Sequence, residues 1–426
     1  MKLTTVKAAE AKLLIQTYDR LPVLLTHGKG AHVFDSEGNK YLDFLSGIGV
    51  TALGHAHPAV TKKIKEQAGK LIHCSNLFYN EYQWQLAEKL TKYAGMDRAF
   101  FSNSGTEAWE GALKIARAYA TEKKNGKWQF LAMENSFHGR TMGAVATTYT
   151  EKYRKPFEPV LPGVKFVKFN DVEDLKAKFD DTICAVCIEP VQGEGGINPA
   201  TVAFMKAAKA LAKKHGALLL VDEIQCGLGR TGKMFAFQHY GVKPDVVTLA
   251  KPIANGLPLG AILTTNSVAK VIHPGMHGTT FGGGPLSCAV AMEVLDTMER
   301  EKLLAHVQKT GEYFLAQLRK LDAKHACIAD VRGAGLMVGV ELDSADVAKE
   351  VTKQMLLSKK IIINRTHETT LRFLPPFIVT RQQVDQVVKS LDKVLSSCAS
   401  AGDAAVVAKK TATGGHRRRL QKGAGH

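Results

Sequence analysis

The chain has 426 residues, 45% apolar and 23% charged, with a formal net charge of +17. That length exceeds one ordinary domain and the composition is globular, so two packed cores are expected. Seven scattered cysteines, an odd number, argue against a secreted disulfide framework, and the uncharged stretch 44–60 is too broken by glycine, histidine and Pro58 for a membrane helix; a cytoplasmic protein is expected.

In chain order, residues 31–45 read as a β-hairpin around the turn 35–39. Apolar runs at 98–101, 129–133, 165–169, 183–188, 217–221, 246–250 and 260–264 read as strands, with helical patterns between them, notably 107–119 and 200–215. Strand and helix in alternation predict an α/β fold with a mostly parallel seven-stranded sheet. From about residue 320 the pattern changes to a smaller α/β unit, with strands near 328–331, 336–342, 361–364 and 371–374 and helices near 345–357 and 381–395. The expected organisation is an N-terminal segment (1–58), a large domain (59–320), a small C-terminal domain (321–397) and a disordered basic tail (398–426).

Two of these strands deliver chemistry to the same sheet edge. Lys251 stands just past the run 246–250, and Asp222 just past 218–221. Parallel strands place both at their C-terminal ends, where α/β proteins bind ligands. An amine that can condense with an aldehyde and a carboxylate that can keep a pyridine nitrogen protonated are what a pyridoxal phosphate site requires. Each residue alone reads equally well as a charged strand end, so the further pieces decide.

Phosphate recognition is the next piece. Ser102 to Glu107 precede a helical run, Ser104 and Glu107 have capping-box spacing, Gly105 lets backbone amides approach a phosphate, and the hydroxyls of Ser104 and Thr106 can donate beside the helix N-terminus. Other signals point to no chemistry. Gly227, Gly229 and Gly232 spell a dinucleotide-type GxGxxG, but no helix opens directly on them, so an NAD-dependent oxidoreductase is a weak competitor. His55 and His57 lack further ligands at metal spacing and read as loop residues. Cys184 and Cys187 sit three apart on a strand, which places them on opposite faces and argues against a metal or redox pair. Lys409, Lys410, Arg417, Arg418, Arg419 and Lys422 form the basic tail without any RNA-binding motif, so no nucleic-acid partner is expected.

At this point a family resemblance is carried by specific runs: GHAHP (54–58), SNSGTEA (102–108), FHGRT (137–141), EPVQGEGG (189–196), LLVDEIQCGLGRTGK (219–233), TLAKPIANGLPLGA (248–261) and GTTFGGGPLSCA (278–289). The chain resembles the class III (ornithine and acetylornithine type) aminotransferases of pyridoxal phosphate fold type I, over about residues 18–395. The resemblance implies that Lys251 binds the cofactor aldehyde and moves the substrate proton, that Asp222 pairs with the pyridine nitrogen, and that Gln225 reaches the ring's phenolic oxygen. It implies Phe137 and Ile224 on the two ring faces, Gly105 and Thr106 on the phosphate, and Thr280 reaching the phosphate of a neighbouring subunit in a homodimer.

For substrates, the resemblance implies Arg372 for the α-carboxylate of 2-oxoglutarate or glutamate, Glu194 as the acid that masks it, and Arg140 for the α-carboxylate of acetylornithine. Where the ornithine enzymes generally carry a tyrosine to hold a free α-amino group, this chain has Ile48, which cannot bind an ammonium and favours an acylated amine. Acetylornithine with 2-oxoglutarate is the expected pair; succinylornithine, ornithine and 4-aminobutyrate are the alternatives. Trp109, Gly284, Pro252 and Ile253 depart from the family's usual residues, and none of them removes a catalytic group.

Overall fold

The computed structural model describes residues 1–123 and 126–414, with side chains as far as residue 398. Seven strands form the central sheet, labelled in chain order β1 (Arg98–Ser102), β2 (Gln129–Met133), β3 (Val164–Val167), β4 (Ile183–Ile188), β5 (Leu218–Asp222), β6 (Val246–Leu249) and β7 (Gly260–Thr264). Their spatial order is β1-β7-β6-β5-β4-β2-β3. Only β7 is reversed, pairing antiparallel to both β6 and β1.

The middle strands read as unbroken apolar runs because both of their faces are covered. Every residue of β4, β5 and β6 is buried. Leu218, Leu220 and Val246 pack with Ala108, Ala112 and Ala116 of the helix Gly105–Glu122, while Leu219, Val221 and Val247 join Phe204, Met205 and Ala208 of the helix Val202–Lys214. Both helices begin on side-chain caps: Ser104 Oγ accepts from Glu107 N at 3.2 Å and Thr201 Oγ1 from Phe204 N at 3.2 Å. The return bond from Glu107 goes to Asn103 N at 2.6 Å, one residue before the cap.

Two sequence expectations about faces are corrected. Cys184 and Cys187 both pack in the cluster beneath Gly105–Glu122 rather than on opposite faces. Gln129 pairs with Ile183 and Phe130 with Ala185, so Cys184 is an extra residue in β4 and shifts the alternation by one. Both thiols are free and buried, which pushes their pKa values up. The expected strand 361–364 divides in two: Ile361–Ile362 pairs parallel with Lys40–Asp43 of the N-terminal hairpin, and Asn364–Thr366 enters the small sheet.

That small sheet runs Ile328–Ala334, Met337–Leu342, Thr370–Phe373, Asn364–Thr366 in space, antiparallel throughout. The N-terminal segment belongs with it. Leu374 N donates to Phe44 O at 2.7 Å, and Phe314 meets both Phe44 and Phe373 edge-on. The last helix runs Arg381–Gly414, past the boundary expected at residue 397, because the alanines and lysines of 401–410 are strong helix formers. Arg417, Arg418, Arg419 and Lys422 lie outside the described residues. No described helix is long and apolar enough to cross a membrane.

Candidate active site

The C-terminal ends of β5 and β6 lie side by side, with Asp222 in register with Thr248. Lys251 follows β6 with φ +37°, opening the single turn Lys251–Ala254, whose second residue is Pro252. A left-handed backbone on a side-chain-bearing residue is strained, and such strain is kept where surrounding structure fixes it. Pro252 and Ile253, two of the departures from the family pattern, follow Lys251 and are buried. Burial lowers the Lys251 ammonium below the usual lysine pKa, although the Glu194 and Asp222 carboxylates oppose the shift.

Around Lys251 lies a cleft of about 380 Å³. Eight of the residues singled out from sequence line it: Gly105, Thr106, Phe137, Arg140, Asp222, Ile224, Gln225 and Lys251. At one end the first turn of Gly105–Glu122 presents backbone amides with no intrahelical acceptor, next to the Thr106 hydroxyl, which bonds Thr141 Oγ1 at 2.8 Å. Gly105 is required there: a Cβ would stand 2.9 Å from Ile224 Cδ1 and Cγ2.

Asp222 is 3% exposed and held from two sides. Its Oδ1 accepts from Ile224 N at 3.0 Å, and its Oδ2 lies 2.7 Å from His138 Nδ1. His138 lies flat against Trp109, 3.9 Å between ring centroids and 6° between planes. Sequence reasoning missed His138, although it stands inside the quoted FHGRT run: a partner 84 residues away along the chain leaves no local signal. It also missed Glu189, whose carboxylate accepts from Phe137 N at 3.0 Å and Gly193 N at 3.1 Å. Complete burial lifts Glu189 to about 7, with His138 opposing and Asp222 adding to the rise.

Arg372, Glu194 and Thr280 do not line the cleft. Arg372 is fully buried on Thr370–Phe373, donating Nη1 to Glu194 Oε1 at 2.5 Å and to Gln225 Oε1 at 3.2 Å, and Nε to Asn364 Oδ1 at 3.0 Å. Gln225 thereby connects this pair to the cleft, and its Nε2 also donates to Glu194 Oε1 at 3.3 Å. Burial raises the Glu194 pKa, but the charge and hydrogen bond of Arg372 outweigh it, and the carboxyl ends below its ordinary value. Arg140 is exposed, its guanidinium 3.6 Å from the Tyr153 ring centroid and 5.5 Å from that of Phe137. Thr280 is exposed and lies away from this chain's own Lys251 cleft. Ile48 is 37% exposed with φ +66°, and Val50, two residues on, is the one of this loop that lines the cleft.

The decoys resolve as structure. Gly229 and Gly232 take φ +95° and +89° in a buried turn that opens no α-helix, so the dinucleotide pattern has no dinucleotide geometry. His55 Nε2 bonds Asp43 Oδ2 at 2.7 Å, a loop role. Among the described residues no cluster of metal-ligating side chains occurs.

A half-buried amine, a buried carboxylate and an amide-lined anion end within one cleft coincide with what comparison with known proteins finds. The family model "Aminotransferase class-III" matches residues 14–395. The chain belongs to the class III aminotransferases. Among its relatives, the acetylornithine aminotransferase of Caldanaerobacter subterraneus subsp. tengcongensis is 47% identical over 91% of this chain and 98% of its own length. That of Methanocaldococcus jannaschii is also 47% identical, over 91% and 97%. Among solved structures, the ornithine aminotransferase of Toxoplasma gondii superposes with a TM-score of 0.90 at 34% identity, over 94% of this chain and 96% of that one. The acetylornithine aminotransferase of Elizabethkingia anophelis gives 0.83 at 34%, over 93% and 100%.

The cofactor of a class III aminotransferase is pyridoxal 5′-phosphate, and the residues present fit it. Lys251 supplies an amine of lowered basicity, Asp222 an acceptor without a third partner, and Gly105 with Thr106 a phosphate-sized set of donors. Phe137 and Ile224 bound a slot between them.

Proposed function

We propose that this chain moves the terminal amino group of N2-acetylornithine to 2-oxoglutarate, yielding N-acetylglutamate 5-semialdehyde and glutamate, a step of arginine biosynthesis. The observation that carries the reading is the buried Arg372 clasped by Glu194 and Gln225 behind the cleft. A dicarboxylate acceptor needs a planar cationic fork, whereas an amino donor of different length needs that fork hidden. A carboxylate still partly exposed, as Glu194 is, can swing away and uncover it.

When bound, pyridoxal phosphate supplies an electron sink and a carbon that holds the amino group between the two half-reactions. Lys251 Nζ, with its lowered basicity, would serve as the group that takes up and returns the substrate's proton. Asp222 would hold the pyridine nitrogen protonated, Gln225 would bond the phenolic oxygen, and Phe137 and Ile224 would enclose the ring between them. The amides of Gly105 and Thr106 would hold the phosphate, and Thr280 would complete that cradle in the partner of a homodimer. Arg140 at the cleft takes the donor's α-carboxylate. Ile48 offers no acceptor for a free α-ammonium, which favours an acylated donor. Seven free cysteines support a cytoplasmic setting.

The test is a half-reaction screen of the yellow holoprotein against acetylornithine, succinylornithine, ornithine and 4-aminobutyrate, following visible absorbance and its recovery with 2-oxoglutarate. Acetylornithine is expected to bleach the colour at the highest kcat/KM. A faster reaction with ornithine or 4-aminobutyrate overturns the substrate assignment, and colour untouched by every amine overturns the transamination.

A further inference from the structure

We propose that Trp109 is a positioning residue for Asp222, acting through the imidazole of His138. The inference rests on Asp222 being the partner of the cofactor's pyridine nitrogen. It concerns a residue at which this chain departs from the family's usual asparagine.

Trp109 is fully buried on the inner face of Gly105–Glu122, where its neighbours Ala108 and Ala112 leave room for an indole. Its far edge is pinned: Nε1 donates to Thr147 Oγ1 at 2.8 Å, and that hydroxyl donates to Ala144 O at 3.0 Å. An indole held in this way cannot tilt. Its face therefore sets the plane of whatever lies 3.9 Å away, and that is the His138 ring.

His138 needs such a support. Nδ1 points at Asp222 Oδ2 and carries the proton, because the carboxylate can only accept. Nε2 is buried and has no hydrogen-bond partner among the described residues. One hydrogen bond leaves a ring free to rotate about it, so the orientation of His138 is set by the stack together with the backbone bond from His138 N to Thr148 Oγ1 at 2.9 Å. The acids facing His138 are Asp222 and Glu189, and Glu189 is already held by two backbone amides. Without the indole, Oδ2 of Asp222 loses a directed donor and the carboxylate keeps only Ile224 N on Oδ1. It can then turn about that contact, away from the line a pyridine nitrogen must approach.

The measurement is nitrogen NMR of holoprotein reconstituted with cofactor isotopically labelled at the pyridine nitrogen, which reads ring protonation directly against pH. Trp109→Ala and Trp109→Asn should lower the pH at which the ring loses its proton by about one unit, a tenfold change in proton affinity. Trp109→Phe, which can still stack but lacks the Nε1 bond that pins the ring, should fall between the native and alanine values, whereas loss of helix packing alone would lower thermal stability without moving the ring's titration. His138→Asn should reproduce the shift, and adding Trp109→Ala to it should change nothing further, because both act through one contact. Should Trp109→Ala fold too poorly to reconstitute, the asparagine variant carries the test. An unshifted ring in the alanine and asparagine variants, or full additivity with His138→Asn, overturns the proposal, provided Asp222→Asn itself deprotonates the ring. If Asp222→Asn leaves the ring protonated, the assignment of Asp222 is what fails.

Discussion

At the scale of single residues, the proposed function divides the work between two arginines. Arg372 is fully buried and ion-paired; removing a buried, hydrogen-bonded charge that must also grip a substrate costs on the order of 3 kcal/mol, or ~100-fold. Arg372→Ala should raise KM for 2-oxoglutarate by roughly that factor while the half-reaction with acetylornithine changes little. Arg140 sits exposed against Tyr153, so Arg140→Ala should weaken acetylornithine by about tenfold and spare 2-oxoglutarate. Steady-state kinetics with each substrate varied in turn decides it, and equal losses for both substrates in both variants would show the roles misassigned. Lys251 carries a pH prediction. Desolvation lowers its pKa below the ordinary lysine value of 10.5, so the nucleophilic neutral amine appears at lower pH than in free lysine. Capture of pyridoxal phosphate by the apoprotein should accelerate as pH rises and level off below 10.5. Asp222→Asn removes a charge that holds the proton on, so its plateau should start at still lower pH; a plateau reached only near the free-lysine value refutes the burial effect.

At the scale of elements, the runs that became β1 to β7 were legible because strands covered on both faces must be apolar without interruption, and turn residues bound them. The helix at Gly105 was legible through its cap. What the runs did not carry was direction and parity. Nothing in 260–264 distinguishes a strand that reverses from one that does not, and the extra residue at Cys184 is visible only once β2 lies beside β4. The site divided along the same line: Lys251 and Asp222 could be read because strand ends place them, and Gly105 because a helix start does. His138 and Glu189 could not, because each is defined by a contact distant in sequence. Gly105→Ala tests how tightly the helix start is fitted to the cleft. The added methyl meets Ile224 at 2.9 Å in a packed wall, an overpacking worth about 1–3 kcal/mol. Cofactor affinity should fall roughly tenfold and the melting temperature should drop by a few degrees, measured by equilibrium dialysis and thermal unfolding; no change in either would mean that Ile224 yields freely.

At the scale of the whole molecule, Arg230 joins the parts that carry the two halves of the site. It is fully buried in the glycine turn after β5, and its Nη1 donates to Leu336 O at 3.2 Å and to Pro375 O at 2.5 Å, three residues past Arg372. Its guanidinium also lies 4.6 Å from the Phe377 ring centroid. Arg230→Met leaves two buried carbonyls without this donor, so stability should drop by about 2–3 kcal/mol, read as a lower midpoint of thermal unfolding, and Arg230→Lys should recover part of it. The homodimer proposed above predicts a second joint, between subunits. Thr280 is exposed and outside this chain's Lys251 cleft, which is where a residue serving a neighbour's phosphate has to be. Thr280→Asp would then place a carboxylate against the partner's phosphate and disable both sites of its own homodimer, while Lys251→Ala disables its own site directly. In a mixed dimer, the site with an intact Lys251 receives Thr280 from the other chain and is whole; its companion carries both defects. Co-refolding equal amounts of the two inactive variants should therefore restore about a quarter of native activity, since half the dimers are mixed and each has one good site. Recovery of no activity would show that each cleft is completed by its own chain.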